Sequence, residues 1–494
     1  MSVNSAIFNV IAAATAPLGT GTTGVISKIR GLDEQKHNQT SEIKKIVNRI
    51  DEDVSFNNDE KTDIPKNDKV MIKEKKKESR LGNVFLNGMF LASIVGTSLS
   101  ISILLFGKSL IKQVFQINDD FLIATVGYLK IRGLSLPAVL LNYIVFGFSI
   151  AMQDVMAPIL SIITAFIVNV FGDYILVGKF GYGLSGAALA TTISSYLGSF
   201  VALKHIFKRY NIKLPYTTTN QIIPTNKIIE ENESIDNMIN SQKFQDDNIN
   251  YKIQNDTIKE KIAWGEIINR KGLNMFFSAS GPLLIGALVN TLTYSAGARI
   301  ASFTKNPIQG TLQIAAHQIV MQSWWFLSYF SSPFSLVAQA VIPKDIIKNN
   351  NKRVKKMIVL LLQLTSITGA LVTLGNILLI KKFPGTFTKN IIIQKIFQNV
   401  LIPSSLSLFI ICLSTVSDGI FIGCNFINDY LKASYLSTIA AWIYYTYSIR
   451  NKLGIIGAWN GLLIFSIVRM GFYLTVYPKL WLSLSQKSTV VEGI

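Results

Sequence analysis

Eleven stretches of this chain are long and apolar enough to cross a bilayer, and they limit the fold more than any other feature does. They cover residues 4–28, 82–106, 134–152, 157–178, 183–203, 273–298, 313–340, 357–380, 398–424, 430–450 and 455–482. A helix needs about 20 residues to cross a hydrocarbon core about 30 Å thick, and the runs have that length. Several are apolar on every side, which the surface helix of a soluble domain is not. The first is weaker and rich in Ala, Thr and Gly, but close-packed membrane helices use such small residues. Hydrophobic residues are 49% of the 494, and their gathering into runs excludes an ordinary soluble domain. The expected class is an all-α, multi-pass membrane protein.

The runs repeat. Gly183-Leu184-Ser185-Gly186-Ala187 returns as Gly454-Ile455-Ile456-Gly457-Ala458, an offset of 271 residues (454 − 183). Pro137 returns as Pro403, an offset of 266 (403 − 137). Pro17, with Phe8 nine residues before it, matches Pro333 with Trp324 nine before it, an offset of 316 (333 − 17). The polar stretch 30–80 has no partner in the second half and accounts for the jump in offset. The expected organisation is two pseudo-symmetric helical bundles: an N-lobe over 1–204, a polar cytosolic linker over 205–271 and a C-lobe over 272–494. The run 273–298 has no partner downstream of Met1, so the repeat predicts that the first span of the N-lobe is missing. Residues 31–80 and 210–262 combine low hydrophobicity with few aromatics and are expected to be disordered.

The formal net charge is +19. In a membrane protein this describes loops on the cytoplasmic side better than a nucleic-acid surface. The loop 343–356 carries Lys344, Lys348, Lys352, Arg353, Lys355 and Lys356 against one acid, Asp345. With eleven spans, this loop and the two long polar stretches share one side, predicted to be cytosolic. The sequons at Asn38, Asn232 and Asn255 lie in those stretches and would stay unmodified there.

Ionisable groups inside spans are the residues to weigh, because burying a charge in lipid is costly without a partner or a cavity. Asp173 follows Asn169 by one helical turn on the same face. A carboxyl and an amide so placed suit a site that exchanges a proton; the alternative is a solvated helix end, since Gly178 and Lys179 follow. Asp418 lies deep in its run beside Gly419, Ser414, Thr415 and Ser417, and is expected to face a cavity. Asp154 and Asp429, at helix ends, read as interfacial. His317, followed by Gln318, either titrates near neutrality or makes a packing hydrogen bond. Arg132 and Arg299 flank spans and are expected to snorkel. Arg469 is more central and either pairs with an acid or lines the cavity. Trp324, Trp325 and Tyr329 form an interfacial belt or an aromatic wall for a flat substrate.

Other classes find no support. Three histidines in total make no histidine-rich metal or haem site, so no cofactor is expected. No GxxxxGK[ST] loop is present for an ATP-driven pump, and no arginine ladder or TVGYG filter for a channel. An enzyme is not expected either, for want of a histidine–acid pair in the spans. A transporter of this kind draws on an ion gradient.

The ordered series of motifs resembles the multidrug and toxic compound extrusion (MATE) transporters. Its members are Tyr128-Leu129-Lys130-Ile131-Arg132 through Pro137 to Gln153-Asp154, then Asn169 to Asp173, Gly183 to Thr191, Ala316-His317-Gln318 through Gln339, Asp418-Gly419, and Gly454 to Arg469. The resemblance covers nearly all of the chain outside the two polar insertions and is strongest to the DinF-like branch of bacteria and plant plastids. It implies a MATE/MOP-type fold with twelve spans in two lobes, about eleven of them here. It also implies export of organic compounds (drugs, toxins, secondary metabolites or organic acids) in exchange for protons, with sodium as the other candidate ion. On this resemblance Asp173, Asn169 and Thr191 form the cation-coupling network. Asp418, Gly419, His317, Gln318 and Arg469 belong to a C-lobe cavity, and Trp324, Trp325 and Tyr329 to a substrate wall. The run 273–298 lacks the acid that sodium-coupled members often carry there, which favours protons. The expected partners are a small organic substrate and the lipid bilayer, without nucleic acid, for a monomer in the plasma membrane, vacuole or plastid envelope. The competing readings are a degenerate, non-transporting membrane protein and a lipid-precursor flippase of the same superfamily.

Overall fold

A computed structural model of the chain describes residues 11, 15–32, 66–115, 119–212, 270–304, 307–382, 384–386 and 388–489. Phe8 and the three sequons lie outside these residues. Residues 1–212 and 268–494 make one compact unit, and 213–267, a second unit, lie outside the description.

The described chain is helical throughout. The first half supplies α1 (17–32), α2 (Lys66–Phe115), α3 (Asp119–Gly133), α4 (Leu136–Met152), α5 (Met156–Asp173) and α6 (Gly183–Arg209). The second supplies α7 (Arg270–Ser302), α8 (Pro307–Ser328), α9 (Ser332–Ile347), α10 (Asn351–Lys382), the short α11 (Ile391–Gln398), α12 (Leu401–Gly423), α13 (Ile427–Arg450) and α14 (Gly454–Thr489). Every one of the eleven runs falls on a helix in its described part. Among the described residues seven helices are long and apolar enough to cross a membrane, or eight with α3 and α4 taken as one span bent by 44°. The helices α7 and α13 are not among the seven. Both carry polar side chains that pack inward, Asn290 and Thr293 on one and Tyr430 and Ser434 on the other. Arg132 lies just before α4, at the α3–α4 bend, its guanidinium near the Ser135 hydroxyl.

One expectation fails. Residues 66–80 are helical, as the first turns of α2, and not irregular. The segment is rich in Lys, a good helix former, contains no Gly or Pro, and leads into an apolar span that nucleates it.

The repeat is written in the backbone. Gly183 and Gly454 both have positive φ, +51° and +60°. Two residues earlier, Gly181 and Lys452 do so at +66° and +53°. Each pair forms the turn that starts the last helix of a lobe, where the left-handed region favours glycine. The lobes also share a helix crossing. A Cβ on Gly147 of α4 would strike the carbonyl oxygen of Gly19 on α1, and one on Gly419 of α12 would strike that of Ser335 on α9. Gly19 and Ser335 are 316 apart (335 − 19), the offset that relates Pro17 to Pro333. The second lobe therefore reproduces a close backbone crossing of the first.

The basic connections gather at one end. Arg30, at the end of α1, donates to the Ala151 carbonyl at 2.5 Å. Lys28 donates to Asn425 Oδ1 at 3.0 Å, and Gly31 lies against Lys344 and Ile347. The ends of α1, α4, α9 and α12 thus share one face of the bundle, as the charge distribution predicts.

Close crossings leave no room for a branched side chain. Gly147→Val and Gly419→Val are each expected to destabilise the fold by about 1–3 kcal/mol, the usual cost of overpacking. Thermal denaturation of the detergent-solubilised protein checks this, and a silent substitution at either site would refute the shared crossing.

Candidate functional site

The best-organised polar group in the bundle is built by four helices of the second half. The Arg469 side chain, on α14, is 2% exposed. Its Nε donates to Asp418 Oδ1 at 3.2 Å, and Nη2 donates to Oδ1 and Oδ2 at 2.9 Å each. Nη1 donates to Asn290 Oδ1 on α7 at 3.0 Å. The Tyr473 hydroxyl, one turn further along α14, also donates to Asp418 Oδ1. Aromatic rings surround the guanidinium: Tyr430 at 5.6 Å, Phe465 at 5.7 Å and Tyr473 at 6.0 Å from their centroids. A guanidinium over ring faces is stabilised by their quadrupoles, and a planar fork matched to a carboxylate is the strongest ion-pair geometry available. The pair is neutral overall, which makes its burial tolerable.

Of the two readings of Arg469, pairing with an acid is the one observed. Asn290, Tyr430 and Tyr473 belong to the same group and were not legible. Their contacts cross 39 (469 − 430) to 179 positions of sequence, and only the polar interruptions of α7 and α13 hint at them.

In the first half, Asn169 Nδ2 donates to the Thr191 hydroxyl at 3.0 Å, tying α5 to α6. Thr191 in turn donates to the Ala187 carbonyl at 2.8 Å. Asp173 ends α5 where the chain passes into a π-helical turn, Tyr174–Lys179. It is half-buried, and its Oδ1 is buried without a hydrogen-bond partner. The structure thus brings Asn169 and Thr191 together and leaves Asp173 one turn away, on the same helix and unlinked. Such π-helical turns are frequent at functional sites.

The other candidates divide. Gly419 sits at the crossing with α9, so its lack of a side chain serves packing. His317 is buried, with its ring 5.6 Å from that of Trp459 and its Nδ1 without a partner; the packing is observed and a hydrogen bond at Nδ1 is not. Gln318, beside it, is half-buried. Trp324 is a core residue whose Nε1 donates to Ser407 at 3.2 Å. Trp325 and Tyr329 continue outward from it: Tyr329 lies 6.2 Å from Trp325, Trp325 5.2 Å from Tyr294, and Tyr294 5.3 Å from Phe465, centroid to centroid. This aromatic series leads from the exposed Tyr329 to the Phe465 ring over which Arg469 lies.

Asp154, expected to be interfacial, lies at a helix end but is not open to solvent. It is buried, caps α5 through the Met156 amide at 3.0 Å, and meets His205 at 3.2 Å, Arg209 at 3.4 Å and the Tyr210 hydroxyl at 3.3 Å. Desolvation and the Asp154 carboxylate push the Tyr210 phenol up to about 12, so it stays a donor at neutral pH. The i, i+4 spacing of His205 and Arg209 was the available signal. Asp429 lies 3.8 Å from Lys479.

The fold and these groups define an integral, multi-pass membrane protein of two repeated helical lobes, and comparison with known proteins agrees. The MatE family model matches residues 75–175. Protein DETOXIFICATION 47, chloroplastic, of Arabidopsis thaliana is 24% identical over 366 residues, 72% of this chain and 56% of that protein. DETOXIFICATION 44, chloroplastic, of the same plant is 23% identical over 387 residues, 77% of this chain and 63% of that protein. The chain therefore spans little more than half the length of the curated plant relatives it matches. The DNA damage-inducible protein F of Escherichia coli (strain K12) is 35% identical over 81 residues, 16% of this chain and 18% of that one. Among solved structures, a multidrug resistance MATE family transporter of the MOP superfamily in an outward-facing conformation aligns with a TM-score of 0.63 at 15% identity, over 97% of this chain and 86% of that one. A MOP superfamily transporter from Pyrococcus furiosus, described as having a binding pocket of reversed polarity, gives 0.65 at 14% identity, over 97% and 86%. By a family model over residues 75–175, by curated relatives and by fold, this chain is similar to MATE transporters.

Removing one member of a buried ion pair costs more than removing both. Arg469→Gln is expected to destabilise the protein by about 3–5 kcal/mol, and the double variant Arg469→Gln/Asp418→Asn by clearly less. Melting curves of the three proteins decide; equal losses in single and double variants would contradict the pairing.

Proposed function

We propose that the chain is a secondary antiporter that exports small organic compounds in exchange for protons, its two lobes rocking about a path between them. The observation that carries this is the state of Asp173. A buried carboxylate oxygen without a donor can be satisfied by a proton on the carboxyl or by a bound cation, and buried polar atoms rarely go unsatisfied. Asn169 and Thr191, already joined across α5 and α6, stand one turn away to receive the carboxyl in its other state. The π-helical turn after Asp173 supplies backbone that can repack without breaking a regular helix.

On this reading proton entry neutralises Asp173, changes its hydrogen bonding toward Asn169 and Thr191, and favours the state that releases substrate. A proton can shift that equilibrium only by its differential affinity for the two states. The contacts of Lys28 with Asn425, and of Gly31 with Lys344 and Ile347, close the lobes at the basic end; opening there would admit a substrate from the cytosol. The relatives named above are plant DETOXIFICATION proteins and MATE transporters, and their names agree with this role. The chain would act as a monomer, with a small organic substrate and the bilayer as its partners.

The test is Asp173→Asn, assayed for efflux of cationic and anionic fluorescent dyes from cells under an imposed proton gradient. The variant is expected to lose gradient-driven efflux while its expression and melting temperature stay near those of the native chain. Proton-driven efflux unchanged by the substitution would reject Asp173 as the coupling residue. Efflux that instead follows a sodium gradient would change the ion.

A further inference from the structure

We propose that the Arg469 guanidinium is the binding group for an organic carboxylate, and that the Asp418 carboxylate holds that place until a ligand displaces it. The inference rests on the transport reading only in assuming that the C-lobe meets a substrate.

The socket and its occupant come from different helices. Arg469 is held independently of Asp418: Asn290 of α7 accepts from Nη1 at 3.0 Å, and the rings of Tyr430 on α13 and of Phe465 and Tyr473 on α14 surround the guanidinium. Asp418 alone comes from α12, and it takes the two-pronged position that any carboxylate would take. The charged and titratable groups that face Asp418 are Arg469, Tyr473 and Tyr477 from α14, Tyr430 from α13 and Tyr294 from α7. From α9 the neutral Ser335 lies against the adjacent Gly419. Among the described residues Arg469 is thus the one cation in the group, and its counter-ion there, Asp418, is internal.

Exposure decides which charge a ligand replaces. The Asp418 side chain is 23% exposed and that of Arg469 2%. A cation binding at Asp418 would have to leave the guanidinium unpaired among aromatic rings, where no water reaches it, and an unpaired buried charge is the costliest outcome. An anion binding at Arg469 instead releases Asp418, whose side chain already has an uncovered face. The exchange of one carboxylate for another also preserves the number of hydrogen bonds on the guanidinium. The aromatic series from Tyr329 through Trp325 and Tyr294 to Phe465 supplies apolar surface for the body of such a ligand on the way to Arg469.

The experiment measures binding to the detergent-solubilised full chain, by thermal shift and equilibrium titration, with benzoate and tetraphenylphosphonium as probes. Benzoate is expected to raise the melting temperature of the native chain, and tetraphenylphosphonium is not. Asp418→Asn, which removes the internal competitor, is expected to bind benzoate about tenfold or more tightly, and benzoate should restore stability lost by the substitution. The double variant Asp418→Asn/Arg469→Gln is expected to bind none. Benzoate affinity unchanged or weakened in Asp418→Asn overturns the proposal, as does benzoate binding that survives in the double variant. Tetraphenylphosphonium binding that is lost in Asp418→Asn also overturns it, and would assign the acid to a cation. Should Asp418→Asn fail to fold, comparison of the native chain with the double variant carries the test. No gradient is applied, so the result is separate from whether Asp173 couples to protons.

Discussion

Lipid gives helices no hydrophobic reason to pack against one another, so a membrane bundle depends on backbones that can come close and on polar groups that find partners inside. This chain meets the first condition at Gly147 and Gly419, where a helix of each lobe rests on a carbonyl of its neighbour. The rest of each lobe is arranged around that crossing. The second condition is met differently in the two halves, and the difference is where their chemistry separates.

In the first lobe, Phe146 and Gly198 stand where the second has Asp418 and Arg469, by the 272 of the glycine crossing (419 − 147), which replaces the 266 read from Pro137 and Pro403, and by 271 (454 − 183). In the second lobe, Ala440, Tyr444 and Leu462 stand where the first has Asn169, Asp173 and Thr191, by the same 271. One architecture thus carries a carboxyl without a donor on one side and a carboxylate fully engaged by arginine on the other. Duplication has kept the packing and divided the polar work.

Much of this was legible in the sequence. Hydrophobic runs locate helices because each must satisfy its own backbone in lipid, and the small-residue turn at Gly183 and Gly454 fixed the repeat. A lone acid in an apolar run is costly, which singled out Asp173 and Asp418. What stayed hidden depended on contacts between distant segments. Nothing near Arg469 in the chain says which acid it meets, and only the spacing of His205 and Arg209 hints that one group on another helix meets both. The helix at 66–80 was obscured by a composition that suits both a solvated helix and a disordered tail. His317 shows the opposite limit: its neighbours suggested a hydrogen bond, and it lies instead against Trp459 with Nδ1 unsatisfied.

Asp418 and Gly419 are consecutive, and on a helix consecutive residues point about 100° apart. One reaches into the polar group of α14 while the next rests on the backbone of α9. The helix between them acts as a crank: it cannot turn to release its carboxylate without also rolling across Ser335. A change in what Arg469 holds would therefore reach a close backbone crossing through the one residue between them, Asp418.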